Sequence, residues 1–220
     1  MRYYPINLNI KGKKCLVIGG GGVAERKVEV LLKCGALVTV ISPTITERIR
    51  ELVEDGKIEY ICRSYRRGDL NGYFLAISAT DSSEVNDQVW KEAEEIGLLL
   101  NVVDNPEKCH FTVPSVIQRG DLLITISTSG KSPALSRKLR EDLERIIGDE
   151  YGIFLDILGS IRKRISVVAG SPEERKGVFD ELVNSPIIQW IKEKRFDEID
   201  VFLRNRLGED FSLDRLGIRN

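Results

Sequence analysis

The sequence predicts an α/β protein: a parallel sheet with helices on both faces, then a small β/α segment, then an all-helical region. Three observations carry this. Short apolar runs alternate with helical patterns over the first hundred residues. Four consecutive glycines stand between the first apolar run and the first helical pattern. Beyond Gly148 the strand signals stop.

Lys14-Cys15-Leu16-Val17-Ile18 is an apolar run that meets glycine, the pattern of a buried strand entering a tight turn. Residues 23–34 place Val23, Lys27, Val30, Leu31 and Cys34 near one helical face, and Gly35 ends that helix as a left-handed cap. Leu37-Val38-Thr39-Val40-Ile41 is a second strand, after which Ser42-Pro43-Thr44 turns the chain into a charged helix ending near Glu54. Strands follow at 58–62 and 73–79, a helix at 84–96 and a fifth strand at 98–103. After Asp104 the rhythm changes. Residues 111–118 and 122–127 are β-like and flank Arg119-Gly120-Asp121, a hairpin turn. Ser132-Pro133 opens a helix with a hydroxyl cap and proline at its first position, and the helix is expected to reach Ile147. Ser171-Pro172-Glu173-Glu174 reads as a capping box within the helical remainder. The expected division is 1–113, 114–147 and 148–220.

Composition narrows the function classes. Hydrophobic residues make up 42% and charged residues 30%, enough apolar material for a packed core. The net charge of −1 and pI near 6.0 argue against a nucleic-acid binder built on an overall basic surface. No apolar run approaches the roughly 18 residues that cross a bilayer. Met1-Arg2-Tyr3-Tyr4-Pro5 lacks the apolar core of a secretory signal, so a cytoplasmic setting is expected. Cys15, Cys34, Cys62 and Cys109 are scattered without a CxxC pair, and neither a disulfide framework nor a resident metal is expected. His110 is the single histidine, which leaves acid–base chemistry to carboxylates or to a cofactor.

Gly19, Gly21 and Ala24 spell G-x-G-x-x-A between a strand and a helix, the context of the dinucleotide fingerprint in a Rossmann-type sheet. Gly19 allows the tight turn, Gly21 lets backbone approach a pyrophosphate, and Ala24 lets helix and strand pack closely. The N–H groups around Gly22 and Val23 face the phosphates. A glycine-rich turn with no ligand is the competing reading of the motif alone. The acidic residue usual about twenty positions on is absent from Val40-Ile41-Ser42-Pro43-Thr44. Ser42 or Thr44 is expected to bond the ribose instead. No arginine stands there for a 2′-phosphate, so NAD is the expected cofactor. Ala79 and Thr80 close the fourth strand at the edge where open parallel sheets bind ligands, with Asn86 capping or packing nearby. Asp104 leaves the carboxyl end of the fifth strand toward the same crevice, and it reads equally as a turn residue in Asp-Asn-Pro. His110 reads more readily as a packed residue than as a catalyst. Ser127-Thr128-Ser129-Gly130-Lys131-Ser132-Pro133 offers hydroxyls and N–H groups ahead of a basic helix, which suits an anion or simple capping.

Together these segments resemble the dehydrogenase/ferrochelatase module of the siroheme synthase family. The resemblance runs through Val17-Ile18-Gly19-Gly20-Gly21-Gly22-Val23-Ala24-Glu25-Arg26-Lys27 and Gly35-Ala36-Leu37-Val38-Thr39-Val40. It continues in Ala79-Thr80-Asp81, Asn101-Val102-Val103-Asp104 and Phe111-Thr112-Val113-Pro114-Ser115. It ends in residues 127–133 and Arg137-Lys138-Leu139-Arg140. The resemblance implies NAD-dependent dehydrogenation of precorrin-2 to sirohydrochlorin. Some members also insert ferrous iron as a further substrate, and others only dehydrogenate. It implies a homodimer formed through roughly 114–147, cofactor contacts at Gly22, Val23, Pro43 and Thr44, and Asp104 as the catalytic aspartate. Substrate contacts are expected at Asn101, Thr128, Ser129, Lys131 and Arg137. Thr128 stands where some members carry serine. A macrocycle with eight carboxylates calls for cations, and Arg119, Lys131, Arg137, Lys138 and Arg140 lie in the matching part of the chain, with Arg162-Lys163-Arg164 beyond. A rival from another class is a nucleotide-sensing Rossmann module without turnover. It accounts for the glycine loop and not for residues 101–140.

Overall fold

The computed structural model describes residues 3–167 and 170–218, so Met1 and Arg2 of the N-terminal stretch lie outside it. The chain divides into two compact units, Met1–Val113 and Pro114–Asn220.

In the first unit five strands form one parallel sheet: β1 (Lys14–Ile18), β2 (Leu37–Ile41), β3 (Glu59–Ile61), β4 (Leu75–Ser78) and β5 (Leu99–Val102). Their order is β3-β2-β1-β4-β5, so the direction of winding reverses beside β1. A crevice opens at the carboxyl ends of such a switch point. Register keeps those ends level, with Ile18 opposite both Ile41 and Ser78. Helices α1 (Gly22–Lys33), α2 (Glu47–Glu54) and α3 (Ser83–Ile96) cover both faces. Alternation along β1 explains why. Cys15 and Val17 join Ala24, Val28 and Leu31 of α1 and Ile49 and Leu52 of α2 on one face. Leu16 and Ile18 join Val89 and Ala93 of α3 on the other. From Cys15 to Ile18 the strand is buried on both sides with no room for a polar position, which is why that stretch reads as an unbroken apolar run after the exposed Lys14. The third strand is shorter than expected, 59–61 instead of 58–62, and pairs only with β2.

The second unit opens with an antiparallel hairpin, β6 (Ser115–Arg119) and β7 (Leu122–Ile126). The turn is Gly120-Asp121, with Gly120 at φ +56°. The hairpin begins at Ser115 rather than 111 because residues 110 and 111 bond to β5. His110 N–H donates to Leu100 O at 2.9 Å, and Asn101 Nδ2 donates to Phe111 O at 2.9 Å. Six α-helices follow among the described residues: α4 (Pro133–Glu144), α5 (Glu150–Arg164), α6 (Pro172–Val183), α7 (Ile187–Lys192), α8 (Phe196–Leu207) and α9 (Leu213–Leu216). α4 stops at Glu144, short of the expected Ile147, because the N–H groups of Ile146 and Ile147 both turn back to Leu143 O. The capping box at Ser171 and Glu174 forms as the sequence predicts. Ile157, Ile161, Leu182, Ile187, Ile199 and Leu203 are fully buried in the helical core. The hairpin tip seats on α5 at Gly152, where an added Cβ would lie 2.9 Å from Arg119 C and O. Among the described residues no helix is long and apolar enough to cross a membrane.

Candidate active site

The glycine loop is wedged between the ends of β2 and β4. Gly19 N–H donates to Ile41 O at 2.9 Å, and Ala79 N–H donates to Ile18 O at 2.7 Å. Gly19 takes φ +117°, and a Cβ there would stand 2.3 Å from Ala79 O. At Gly20, a variable position of the G-x-G-x-x-A spacing, a Cβ would stand 1.9 Å from Thr44 O. At Gly21 it would meet nothing within 4 Å, and at Gly22 only the Arg26 guanidinium at 4.0 Å. So the first two glycines are demanded by the protein's own backbone, and the next two face open space.

That space is lined by helix donors. Gly21 caps α1 without any side-chain bond, and Glu25 N–H is the first to reach a helical acceptor, Gly21 O, at 3.0 Å. The N–H groups of Gly22, Val23 and Ala24 therefore have no intrahelical partner and sit at the positive end of the helix dipole. Ala24 is fully buried against the sheet, which brings α1 close. The residues present fit a dinucleotide: an open cradle of N–H groups for a pyrophosphate.

Around the cradle, Ser42 is buried with its Oγ against Gly20, while Pro43 and Thr44 are exposed. Of the two hydroxyls expected at the ribose, Thr44 is the accessible one. Arg48 pairs with Glu29 and Glu51, Arg50 with Glu47, and Arg63 with Asp69 through both guanidinium nitrogens. Ala79 and Thr80 are half-buried at the end of β4. Asn86 fixes them by accepting from Ser78 Oγ at 2.6 Å and donating to Thr80 O at 3.1 Å.

Asp104 is exposed just beyond the carboxyl end of β5, the same edge of the sheet as the cradle, at φ +61°. Asn105 N–H closes the turn onto Val102 O at 3.3 Å. Asn101 is buried, and its amide donates to Phe111 O, so it braces the chain leaving that turn. His110 is committed. Its Nδ1 accepts from Leu100 N–H at 3.1 Å, which places the ring proton on Nε2, facing Glu94 at 2.6 Å. Lys27 of α1 was legible only as a helix-face position. Burial, and then the Arg26 guanidinium, pull its ammonium below the ordinary value, and Asp104 and Cys109 oppose that pull. A lysine on an apolar helical face was the signal that could have singled it out. Cys109, bonded into the Asp104 turn, carried no such signal.

In the second unit, Thr128 Oγ1 accepts from Ser132 N–H at 3.2 Å and also meets Ser132 O and Ser136 Oγ. The Thr128 hydroxyl thus shapes the entry to α4. Ser129 holds φ +53°. Among the described residues no side-chain bond or ion pair engages Lys131 or Arg137. Lys138 pairs with Asp142, Arg140 with Glu144 and Arg119 with Asp149.

A parallel sheet with an N–H cradle at its switch point defines a Rossmann-type dinucleotide-binding protein. The family model described as putative NAD(P)-binding matches residues 6–115, and the chain belongs to that family. A second model, sirohaem biosynthesis protein central, matches residues 119–146, so the family resemblance read from the sequence holds on both segments. The siroheme synthase of Vesicomyosocius okutanii is 35% identical over 208 residues, covering 94% of this chain and 45% of the relative. That of Photobacterium profundum is 37% identical over 182 residues, covering 83% and 39%. The chain thus spans less than half the length of these relatives. A solved structure described as SirC, precorrin-2 dehydrogenase, matches with TM-score 0.76 and 27% identity over 88% of this chain and 96% of that one.

Proposed function

We propose that this chain is a cytoplasmic enzyme that oxidises precorrin-2 to sirohydrochlorin with NAD in siroheme synthesis. The observation that carries the proposal is Asp104, an exposed carboxylate held on the same sheet edge as the open glycine cradle. The match to SirC along nearly its whole length supports the substrate assignment.

When bound, NAD supplies the hydride acceptor. Gly22, Val23 and Ala24 hold its pyrophosphate through their free N–H groups. Thr44 reaches the ribose, and Arg48, Arg50 and Arg63, the arginines that follow β2 and β3, are each held by carboxylates, which favours NAD over a cofactor with a 2′-phosphate. Precorrin-2 gives up a proton along with the hydride, and Asp104 receives it as general base. Lys131 and Arg137, whose side chains pair with none of the described residues, pair with substrate carboxylates, and Ser129 offers a hydroxyl in the same loop. Where iron insertion also occurs, ferrous iron is a second substrate, and Asp104 takes the two pyrrole N–H protons one at a time and passes each to solvent.

The assembly we propose is a homodimer through the β6–β7 hairpin and α4. Val116 and Leu123 are exposed on the hairpin, Leu135 and Leu139 lie one turn apart on α4, and Ile146 follows at 65% exposure. A two-stranded hairpin needs such a face covered to be stable. Four free cysteines suit a reducing compartment.

The test mixes the protein with precorrin-2 and NAD without metal and follows NADH and the sirohydrochlorin spectrum together. Equal appearance of both is expected. Intact NAD binding with no turnover would shift the reading to a nucleotide sensor. A parallel assay of ferrous iron and sirohydrochlorin without NAD reads the chelatase step.

A further inference from the structure

The turn that presents Asp104 is tied from beneath by one thiol. Val102 N–H donates to Cys109 Sγ at 3.2 Å, and Asn101 Nδ2 approaches it at 3.5 Å. The thiol hydrogen faces two acceptors, Val102 O at 3.2 Å and Asn105 O at 3.1 Å. Val102 and Asn105 are the first and last residues of the turn in which Asp104 adopts φ +61°. A non-glycine residue adopts that conformation uncommonly, aspartate more readily than most, and contacts from the surroundings help to hold it there. The turn's own bond is long at 3.3 Å, so the thiol is the additional tie between its two ends. The segment carrying Cys109 is itself anchored, by Lys108 to Asp87 and by His110 to Leu100. Burial pushes the Cys109 thiol up from its ordinary value, with the Val102 N–H and the Lys27 ammonium opposing, so the group stays protonated and able to donate.

We propose that Cys109 is a positioning residue: its thiol fastens both ends of turn 102–105 and so aims the Asp104 carboxylate beyond the sheet edge. This rests on the role given to Asp104 in the proposed dehydrogenation.

The experiment uses the full chain carrying Cys109→Ala or Cys109→Ser, each alone and combined with Asp104→Asn. In Cys109→Ala, kcat falls about 10–100-fold, as a small misplacement of a reacting group does, and the KM for NAD stays within about twofold. Cys109→Ser keeps a donor and recovers most of the rate. In the Asp104→Asn background Cys109→Ala costs nothing further, because the thiol acts only through that carboxylate. Independently of any ligand, amide hydrogen exchange across residues 100–111 quickens in Cys109→Ala and returns toward normal in Cys109→Ser. Should Cys109→Ala not fold, Cys109→Val keeps the volume without the donor and takes its place. An equal loss in the Asp104→Asn background overturns the proposal, as does an unchanged kcat or unchanged exchange. Failure of the wild-type chain to oxidise precorrin-2 counts against the dehydrogenase reading alone, and the exchange measurement then decides the positioning.

Discussion

Gly20 and Gly21 are neighbours under opposite constraints, and substitution separates them. Gly21 has φ −83° and ψ −177°, ordinary extended backbone, with empty space where a Cβ would go. Gly21→Ala should leave the thermal midpoint within a few degrees of wild type and weaken NAD binding at least about tenfold, since its methyl stands where backbone meets pyrophosphate. Gly20→Ala puts a methyl against Thr44 O and forces backbone apart, so about 1–3 kcal/mol of stability is lost in denaturant titration. A Gly20→Ala chain as stable as wild type would refute that account of the loop. Asp104 makes the third contrast. Asp104→Asn keeps size and cofactor contacts and removes the base, so turnover should drop about 10²–10⁴-fold with NAD affinity unchanged. Steady-state kinetics beside an NAD titration separates the two quantities.

At the scale of elements, loop 62–72 shows how side chains replace missing ladder bonds. Glu92 of α3 is 4% exposed and accepts from Tyr65 Oη at 2.6 Å, Gly68 N–H at 2.9 Å and Leu70 N–H at 3.2 Å. Asp69 binds Arg63, which chiefly holds the Asp69 carboxyl below its ordinary value. A depressed folded value stabilises above the unfolded value of about 3.9 and is lost as pH falls through the folded one. The thermal midpoint of Asp69→Asn should therefore fall less steeply below about pH 4 than that of wild type; parallel acid limbs in the two proteins would exclude the clasp as a source of acid sensitivity. Strands β1 and β2 were legible because their apolar runs stop at a turn residue, Gly19 or Ser42. Glu92 was not legible. It sits near Glu94 and Glu95 on a charged helix, and only the folded-over loop tells it apart. The true start of β6 was equally hidden, since Phe111 is as β-prone as Val116 and only the long-range bond to Asn101 claims it. Asp104 was legible by its place after β5, but its left-handed backbone depends on Cys109, five residues on.

For the whole molecule, the cores are segregated. Every buried residue of the helical cluster lies between Phe154 and Leu216, and every buried residue of the two sheet clusters between Ile10 and Val102. Leu203→Ala, at a fully buried site in the helical core, should cost about 2–5 kcal/mol there and leave NAD affinity at the wild-type value, read by calorimetry and titration together. A matching loss of NAD affinity would show that the cradle depends on that core.

The strand order also bears on how the chain is made. β1 lies at the middle of the sheet, and its two partners arrive at different times. β2 is synthesised by residue 41, but β4 does not emerge until residues 75–78 and β5 until 99–102. At ribosomal speeds of about 5–20 residues per second, a nascent half-sheet waits for seconds with one edge of β1 unpaired and Leu16 and Ile18 not yet covered by α3. An exposed edge of that kind recruits other strands. The parallel arrangement that places the cradle and Asp104 on one rim thus gives the growing polypeptide a sticky interval on the ribosome, during which shielding by a chaperone matters most.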